Sequence, residues 1–197
     1  MTCSSHTIRP KFECRTDRDV QIAALRREGC TDHFLTASPA PGENFSAMCQ
    51  RLAAVLRGLD ASVVSMEVFG FPACTAAAVT EAFGAPAWPV TWVVEGAYHA
   101  APLCGIQVWA VTGPEVVPVL FNGAVAGTMF DADGVRYCRL GGLVSDDLSA
   151  SRAAQTRTVF DRMVGALEYA GMNFGHVMRT GFYNDRIRDR KHGNPDL

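Results

Sequence analysis

Residues 136–183 read RYCRLGGLVSDDLSASRAAQTRTVFDRMVGALEYAGMNFGHVMRTGFY. The pattern predicts a strand that ends in two glycines, a polar loop, a long helix from near Ser149 or Ser151, a short break and a second strand over residues 176–183. A helix with one apolar stripe must bury that stripe against another layer, so strands on both sides of it predict an α+β architecture. The stripe consists of Val159, Met163, Ala166, Leu167 and Ala170.

The same order of a helix, a short linker and a strand occurs earlier in the chain. The earlier helix follows Asn44, a residue of the N-capping type, and a β-branched strand is predicted over residues 63–69. When the two helices are overlaid, Arg51-Leu52 matches Arg162-Met163. An order of elements that occurs twice predicts an internal duplication.

The remaining pattern predicts further strands around both helices. Asn122-Gly123 stands between two apolar runs, which is a strong signal for a β-hairpin. Residues 74–83 are alanine-rich and predict a second helix in the first half, and residues 19–27 predict a short helix. Six other segments are expected to be strands: residues 32–37, 88–94, 105–111, 116–121, 124–130 and 135–140.

These elements divide the chain into three parts. Residues 1–31 are polar and weakly periodic, so they are expected to form an N-terminal extension. Residues 32–113 make a first unit, and residues 114–197 make a second unit that is expected to be incomplete, because residues 184–197 are too polar to bury a surface. Three alternatives follow: the chain is a fragment, a separate chain supplies the rest of the unit, or the sheet keeps an open edge.

Composition argues against several classes of protein. The formal net charge of −2 gives no general attraction to nucleic acid or to an anionic membrane, and no apolar run reaches the roughly 18 residues of a spanning helix. The seven cysteines and five histidines show neither Cys-x-x-Cys nor a metal-ligand spacing, so no disulfide framework or metal site is predicted. Cys49, Cys74 and Cys104 have apolar neighbours, which is typical of buried reduced thiols and favours a cytoplasmic location.

Residues 32–183 resemble two consecutive units of the Rid family, the YjgF-like reactive intermediate deaminases, whose units have a chorismate mutase-like fold. Besides the repeated helix and strand, the resemblance depends on FGAPAWPVT at residues 83–91 and GIQVWAV at residues 105–111. Tandem units of this kind also resemble the chorismatases. The resemblance covers about three quarters of the chain and implies a two-layer fold, in which a mixed sheet is backed by helices.

The resemblance also implies a homotrimer with clefts between subunits and a reaction without a cofactor or metal. In imine-hydrolysing Rid proteins an arginine after the Pro-Ala segment binds the substrate carboxylate, and a glutamate in the closing strand helps to position water. The matching positions here hold Trp88 and Pro89, and Gln107. Because an amide cannot accept a proton from water at neutral pH, the first unit is not expected to be an imine deaminase, and no catalytic residue is assigned.

Three side chains of the second unit are candidates for binding a carboxylate. Arg179 interrupts an apolar predicted strand that borders the intersubunit cleft in the resembling families, so it is either an anion contact or part of a polar outer face. Tyr183 closes the same strand, so it either lines the same cleft or packs in the core or on the surface. Arg152 lies in the first turn of the long helix, where it opposes the helix dipole, and a salt bridge with Asp146 or Asp147 is the alternative to a ligand contact.

Gly142 is the fourth candidate for substrate binding. As the second residue of Gly141-Gly142, it is expected either to let the backbone turn tightly or to let it approach a ligand closely. Glu95 is a weaker candidate for an acid or base. The three tryptophans are expected in the core or at the trimer interface, with a stacking pocket for a planar ligand as the alternative; they are Trp88, Trp92 and Trp109.

One functional expectation and one alternative follow. The expectation is a Rid-like enzyme that hydrolyses or deaminates a small carboxylated metabolite in a cleft lined by the second unit. The alternative is a non-catalytic protein that binds a small metabolite, or a structural subunit of a Rid-like trimer. Neither function calls for a cofactor, a metal, nucleic acid or a membrane.

Overall fold

A computed structural model describes residues 11–94 and 104–183 of the chain, and within these ranges the fold is α+β as predicted. The first half contains β1 (Lys11–Asp17), β2 (Val20–Arg27), β3 (Cys30–Ala37), α1 (Phe45–Leu59), β4 (Ser62–Phe69), α2 (Pro72–Phe83), β5 (Val90–Val93) and β6 (Gly105–Thr112). The second half contains β7 (Val117–Phe121), β8 (Ala124–Ala132), β9 (Val135–Leu140), α3 (Arg152–Tyr169) and a 3₁₀ turn at Phe174–His176.

The strands form two sheets rather than one shared sheet. The first sheet has the order β1-β2-β3-β6-β4-β5 and is mixed, because β4 and β5 are parallel while all other neighbours are antiparallel. The second sheet has the order β7-β8-β9 and is antiparallel. The expectation of one shared sheet is therefore wrong, since the second sheet packs face to face on the first instead of extending its edge.

The helices α1 and α2 cover one face of the first sheet. Asn44 caps α1 as predicted, since its side chain accepts a hydrogen bond from the backbone N–H of Ala47 at 2.8 Å. The apolar stripe of α1 lies on the sheet, and burying such side chains provides the main driving force for this packing. The core between these layers includes Met48, Leu52, Leu56, Leu35, Met66, Val68, Ile106 and Val108, with Trp88 and Trp92 at its margin.

The second sheet covers part of the opposite face of the first. Phe130 of β8 is buried in a core with Val64 and Val111, and Trp109 packs against it. The hydroxyl of Thr128 donates to the carbonyl oxygen of Val64 at 2.7 Å, which joins the two sheets directly. The last turns of α3 pack on the outer face of the second sheet, so the layers run helices, sheet, sheet, helix.

The amino-terminal part of the chain departs from the sequence expectation. The predicted short helix over residues 19–27 is wrong, because β2 occupies that range and pairs with β1 and β3. Residues 11–27, expected as an extension, therefore belong to the first sheet. The physical reason is the period of two in β2, where Val20, Ile22 and Ala24 are buried in alternation with more exposed neighbours.

The predicted strand over residues 176–183 is also wrong. The chain makes the 3₁₀ turn there and then runs without regular structure to Tyr183, with most side chains exposed. Phe182 and Phe174 contact Phe160 of α3, with ring centroids 5.4 and 5.7 Å apart, respectively. Within the ranges given above no strand pairs with this segment, so its β-branched and aromatic residues have no ladder to join. Residues 184–197 lie outside the described residues.

Two further predictions concern the thiols and the helices. The six cysteines within the described ranges are free; Cys49 is buried and Cys104 is half-buried, but Cys74 is exposed on α2, so the prediction of burial is wrong for it. None of the helices that the structure describes is long and apolar enough to cross a membrane.

Candidate functional site

The four residues predicted to bind a carboxylate lie on three different segments. Gly142 follows β9, and Arg152 is the exposed first residue of α3, whose N-cap is Ser151. Arg179 and Tyr183 are exposed in the irregular segment after the 3₁₀ turn. Neither Arg179 nor Tyr183 therefore lies in a strand, and the structure does not gather the four positions on one strand.

Gly142 approaches a neighbouring strand closely. Its N–H donates to Thr91 Oγ1 at 2.9 Å, its φ is +66°, and a Cβ added there would lie 2.5 Å from the carbonyl oxygen of Val90. A side chain at this position would therefore meet the backbone of β5. Both the tight turn and the close approach that the sequence predicts are present, and the partner in the approach is protein backbone.

A row of polar side chains crosses the first sheet on the face opposite α1 and α2. In the strand register, Thr36 lies opposite Gln107, Gln107 lies opposite Glu67, and Glu67 lies opposite Thr91. Side chains alternate between the faces of a sheet, so these four point away from the helices. Their neighbours in sequence are core residues on the helix side, namely Leu35, Ala37, Met66, Val68, Ile106, Val108, Val90 and Trp92.

Arg139 of β9 reaches this row from the second sheet. Its Nη2 donates to Oε1 of Glu67 at 2.9 Å; the Glu67 side chain is 14% exposed, whereas that of Arg139 is 44% exposed. The carboxylate is thus mostly enclosed while much of the guanidinium faces solvent. Thr36, Gln107, Glu67, Thr91 and Arg139 together are called the Glu67–Arg139 patch below.

The Glu67–Arg139 patch has the groups that carboxylate chemistry needs. A guanidinium has five N–H donors in a planar fork, so Arg139 can bind a second carboxylate while it keeps its bond to Glu67. A glutamate can accept a proton from water, and the amide of Gln107, directly opposite Glu67, can orient that water. The patch can therefore bind an anion beside a general base.

Sequence reasoning missed both charged members of the patch. The signal for Glu67 is its place as the one charged residue in β4, a strand that is otherwise Ser, Val, Met and Phe. The signal for Arg139 is the alternation in β9, which puts Tyr137 and Arg139 on the face toward the first sheet and Cys138 on the face toward α3. Neither signal identifies the partner strand.

A second polar cluster holds β9 in place beside the patch. Arg27 Nε donates to Asp32 at 2.9 Å, and its Nη1 donates to Asp133 at 2.7 Å and to the hydroxyl of Tyr137 at 3.1 Å. Trp109 Nε1 also donates to Asp32, at 3.1 Å. This cluster joins the two sheets and fixes Tyr137, two residues before Arg139, so its role is to position the second sheet.

Other candidate groups do not contribute to the patch. Burial raises the pKa of the Cys49 thiol to about 12 and that of Cys138 above its usual value, so neither is a ready nucleophile. Trp88 packs edge-on against Phe83 in the helix-side core. Among the residues that the structure describes, no three His, Cys, Asp or Glu side chains could hold a metal ion. Glu95 lies outside the described ranges.

Comparisons of the chain with protein-family models, with curated proteins and with solved structures gave no match. The features of the chain that bear on its function are therefore the Glu67–Arg139 patch and the order of elements.

Proposed function

We propose that this chain is a Rid-like protein that acts on a small carboxylated metabolite by hydrolysis or deamination. The observation that carries the proposal is the meeting of Arg139, Glu67 and Gln107 on one polar patch. The order α1, β4, α2, β5, β6 supports the family part of the proposal, because it follows the helix, strand, helix and two strands of the family pattern.

Each residue of the patch has a role in this proposal. Arg139 binds the substrate carboxylate through the N–H groups that Glu67 does not use. Gln107 holds a water molecule by its amide, and Glu67 accepts a proton from that water as it attacks the substrate carbon. The bond from that carbon to the nitrogen or oxygen leaving group then breaks, and the leaving group takes the proton from Glu67. The arginine and carboxylate are thus supplied from β9 and β4 instead of the positions that the family uses, which hold Trp88, Pro89 and Gln107 here.

A tandem arrangement of two related units is part of the same proposal. Each half begins with three antiparallel strands joined by two-residue turns, and a long helix follows. Arg51 and Arg162, which the sequence overlay pairs, both bond to a carbonyl and a carboxylate in the segment before their helix. The acceptors are Ser38 and Glu43 for Arg51, and Val144 and Asp146 for Arg162.

Self-association as a homotrimer also belongs to this proposal. Phe12 and Phe34 are exposed on the first sheet, on the face that the second sheet covers only in part. Exposed apolar side chains on a sheet face support burial by another subunit. Light scattering after size-exclusion chromatography tests the trimer, and a monomer at micromolar concentration would contradict it.

The enzymatic proposal is tested by turnover of 2-imino acids and of chorismate by the purified protein. Arg139→Ala is expected to lower kcat/KM about 100-fold, because a charge-assisted bidentate contact is lost. Glu67→Gln is expected to lower kcat by about 10²–10⁴-fold with a smaller change in KM, because a general base is lost. Arg136→Ala is the matched control, since Arg136 is an exposed arginine of β9 paired with Asp131, and it should leave both parameters unchanged.

A non-catalytic metabolite-binding protein is the second candidate function. The observation that favours it is the amide of Gln107 at the position where the family has a glutamate. Binding of a carboxylate that Arg139→Ala weakens, without turnover of either substrate class, would support this candidate against the enzyme. If Arg139→Ala changes neither carboxylate binding nor turnover, both the enzyme and the binding protein are overturned.

A further inference from the structure

Arg51 of α1, in the first half of the chain, gives four hydrogen bonds through its guanidinium. Its Nε and Nη2 bond to the two carboxylate oxygens of Glu43 at 2.8 and 2.6 Å, and Nη1 donates to the carbonyl oxygen of Arg18 at 2.9 Å. The Arg51 and Glu43 side chains are only 13% and 14% exposed. The carboxylate of Glu43, in the loop before α1, thus binds one edge of the Arg51 guanidinium in a bidentate manner, and the β1–β2 turn covers the remaining nitrogen.

Arg162 has the corresponding place in the second half but a poorer set of partners. It lies on α3, which follows β7–β9 as α1 follows β1–β3, and it bonds to the carbonyl of Val144 and to one oxygen of Asp146. The Arg162 side chain is 22% exposed, whereas that of Asp146 is 87% exposed. Within residues 11–94 and 104–183, Nε of Arg162 has no hydrogen-bond partner, so half of its planar fork is unused.

A cavity of about 340 Å³ lies beside Arg162. The Asn122-Gly123 turn of β7–β8 borders it, and this turn corresponds to Arg18-Asp19, whose carbonyl completes the bonds of Arg51. In the first half, Glu43 and the Arg18-Asp19 turn occupy the position beside Arg51. In the second half, the corresponding position beside Arg162 is the cavity. The rest of the lining is mainly apolar and includes Phe121, Val125, Gly142 and Leu143.

We propose that this cavity binds a small carboxylate with a short apolar chain, and that the ligand carboxylate takes the place beside Arg162 that Glu43 takes beside Arg51. A guanidinium matches a carboxylate in a bidentate manner, and a mostly buried fork strengthens that bond. The apolar chain packs on Phe121 and Leu143, and the exposed Asp146 is displaced. The volume lies in the range of small-molecule sites.

The site is separate from the Glu67–Arg139 patch. The patch lies between the two sheets, whereas the cavity lies on the side of the second sheet that α3 covers. The inference therefore does not depend on the proposed function, and each can fail alone. Gly142, which the sequence marked as a substrate-binding candidate, lines this cavity with its backbone.

The test compares butyrate with butanamide, which has the same shape without the charge, by calorimetry and NMR on the full chain. Butyrate is expected to bind at least about tenfold more tightly than butanamide, because only the carboxylate can pair with the fork. Arg162→Gln should weaken butyrate binding by about tenfold or more. Asp146→Ala should strengthen it severalfold, because the competing carboxylate is gone. Arg157→Gln and Asp161→Ala are the matched controls on the exposed surface of α3 and should change nothing.

Three results would overturn the inference: equal binding of butyrate and butanamide, weaker binding by Asp146→Ala, or unchanged binding by Arg162→Gln. If Arg162→Gln disturbs the fold, Ala124→Phe, at the exposed lining residue paired with Phe121, keeps the guanidinium, narrows the cavity and should still block butyrate. Arg139→Ala should bind butyrate as the unmodified protein does, and a loss in that variant would assign the ligand to the Glu67–Arg139 patch.

Discussion

Three arginines that each pair with a carboxylate differ in how much of the guanidinium remains for a ligand. Arg51 gives four hydrogen bonds to Glu43 and to two backbone carbonyls, so it holds the fold. Arg139 gives one bond to Glu67 and keeps a solvent-exposed edge, and Arg162 faces a cavity. At the scale of single residues, the partners of a charge decide whether it serves stability or binding.

The Glu43–Arg51 pair makes stability depend on pH in the acid range. The hydrogen-bonded guanidinium of Arg51 holds the pKa of Glu43 at about 2, compared with 4.5 for an ordinary glutamate. Because the folded-state pKa is the lower one, the stabilisation is complete above about pH 5 and is lost as the pH falls from 4.5 toward 2. With solvent screening, the ionised Glu43 contributes about 1–2 kcal/mol to the free energy of unfolding. Urea unfolding of the unmodified protein and of Glu43→Gln, each at pH 7 and at pH 3, would measure this contribution.

The expected result is a difference between the two proteins at pH 7 that shrinks at pH 3. Asp131→Asn is the control, since Asp131 pairs with Arg136 but both side chains are exposed, and it should show little loss of stability at either pH. An equal difference at both pH values would show that the charge of Glu43 is not the cause.

Replacing Gly142 by alanine should cost more stability than the same replacement at a glycine with a similar φ and open surroundings. Gly142→Ala would place a Cβ against the Val90 carbonyl, so we expect a loss of at least about 2–3 kcal/mol in the free energy of unfolding. Gly171 has φ +69° and no atom near the added Cβ, so Gly171→Ala should cost only about 1 kcal/mol. Chemical unfolding measures both, and equal losses would contradict the close approach.

The two long helices illustrate how similar elements bury different amounts of surface. In α1 the residues Met48, Cys49, Leu52, Ala53, Val55 and Leu56 are buried. In α3 only Ala166 and Leu167 are buried within the helix, and its first turns are exposed. The reason is that the stripe of α1 faces a six-stranded sheet and α2, whereas only the last turns of α3 pack on the face of a three-stranded sheet.

Equivalent substitutions in the two helices should therefore have unequal effects. Leu52→Ala should lower the free energy of unfolding by about 2–5 kcal/mol, because Leu52 is fully buried and a cavity remains. Met163→Ala, at the position that the overlay pairs with Leu52, should cost no more than about 1 kcal/mol, because Met163 is only half-buried. Similar losses in thermal or urea unfolding would mean that α3 has a larger buried contact than the structure shows.

The whole molecule consists of a large sheet with two helices and a small sheet with one helix. The two sheets are joined by the core around Phe130 and by three polar links, from Arg27 to Asp133, Thr128 to Val64, and Arg139 to Glu67. Among the described residues, β9 has a strand neighbour on one side only. The three-stranded sheet with α3 should therefore unfold locally more readily than the six-stranded sheet with α1 and α2.

Native-state hydrogen exchange tests this order of opening. The amides of β8 and β9 are expected to exchange at least about tenfold faster than those of β3 and β6, whose strands are central in the first sheet. Equal protection in both sheets would show that they unfold as one unit.

Much of the fold could be predicted from sequence because local patterns determine local elements. The β-branched and aromatic content of residues 63–69, the Asn122-Gly123 turn and the stripe after Asn44 each predicted an element that the structure confirms. Residues 19–27 and 176–183 were predicted wrongly, because a short segment has too few side chains to separate a period of two from a helix or to show whether a neighbouring strand exists.

The sequence by itself determined the α+β class, most element boundaries and the cap of α1, since backbone preferences and hydrophobic periods act over a few residues. Only the tertiary structure decided that the second sheet stacks on the first, that Arg139 meets Glu67 across 72 positions of the chain, and that Arg162 borders a cavity. These features depend on which faces and edges meet, and that choice is made by packing of the whole molecule, which no local pattern encodes.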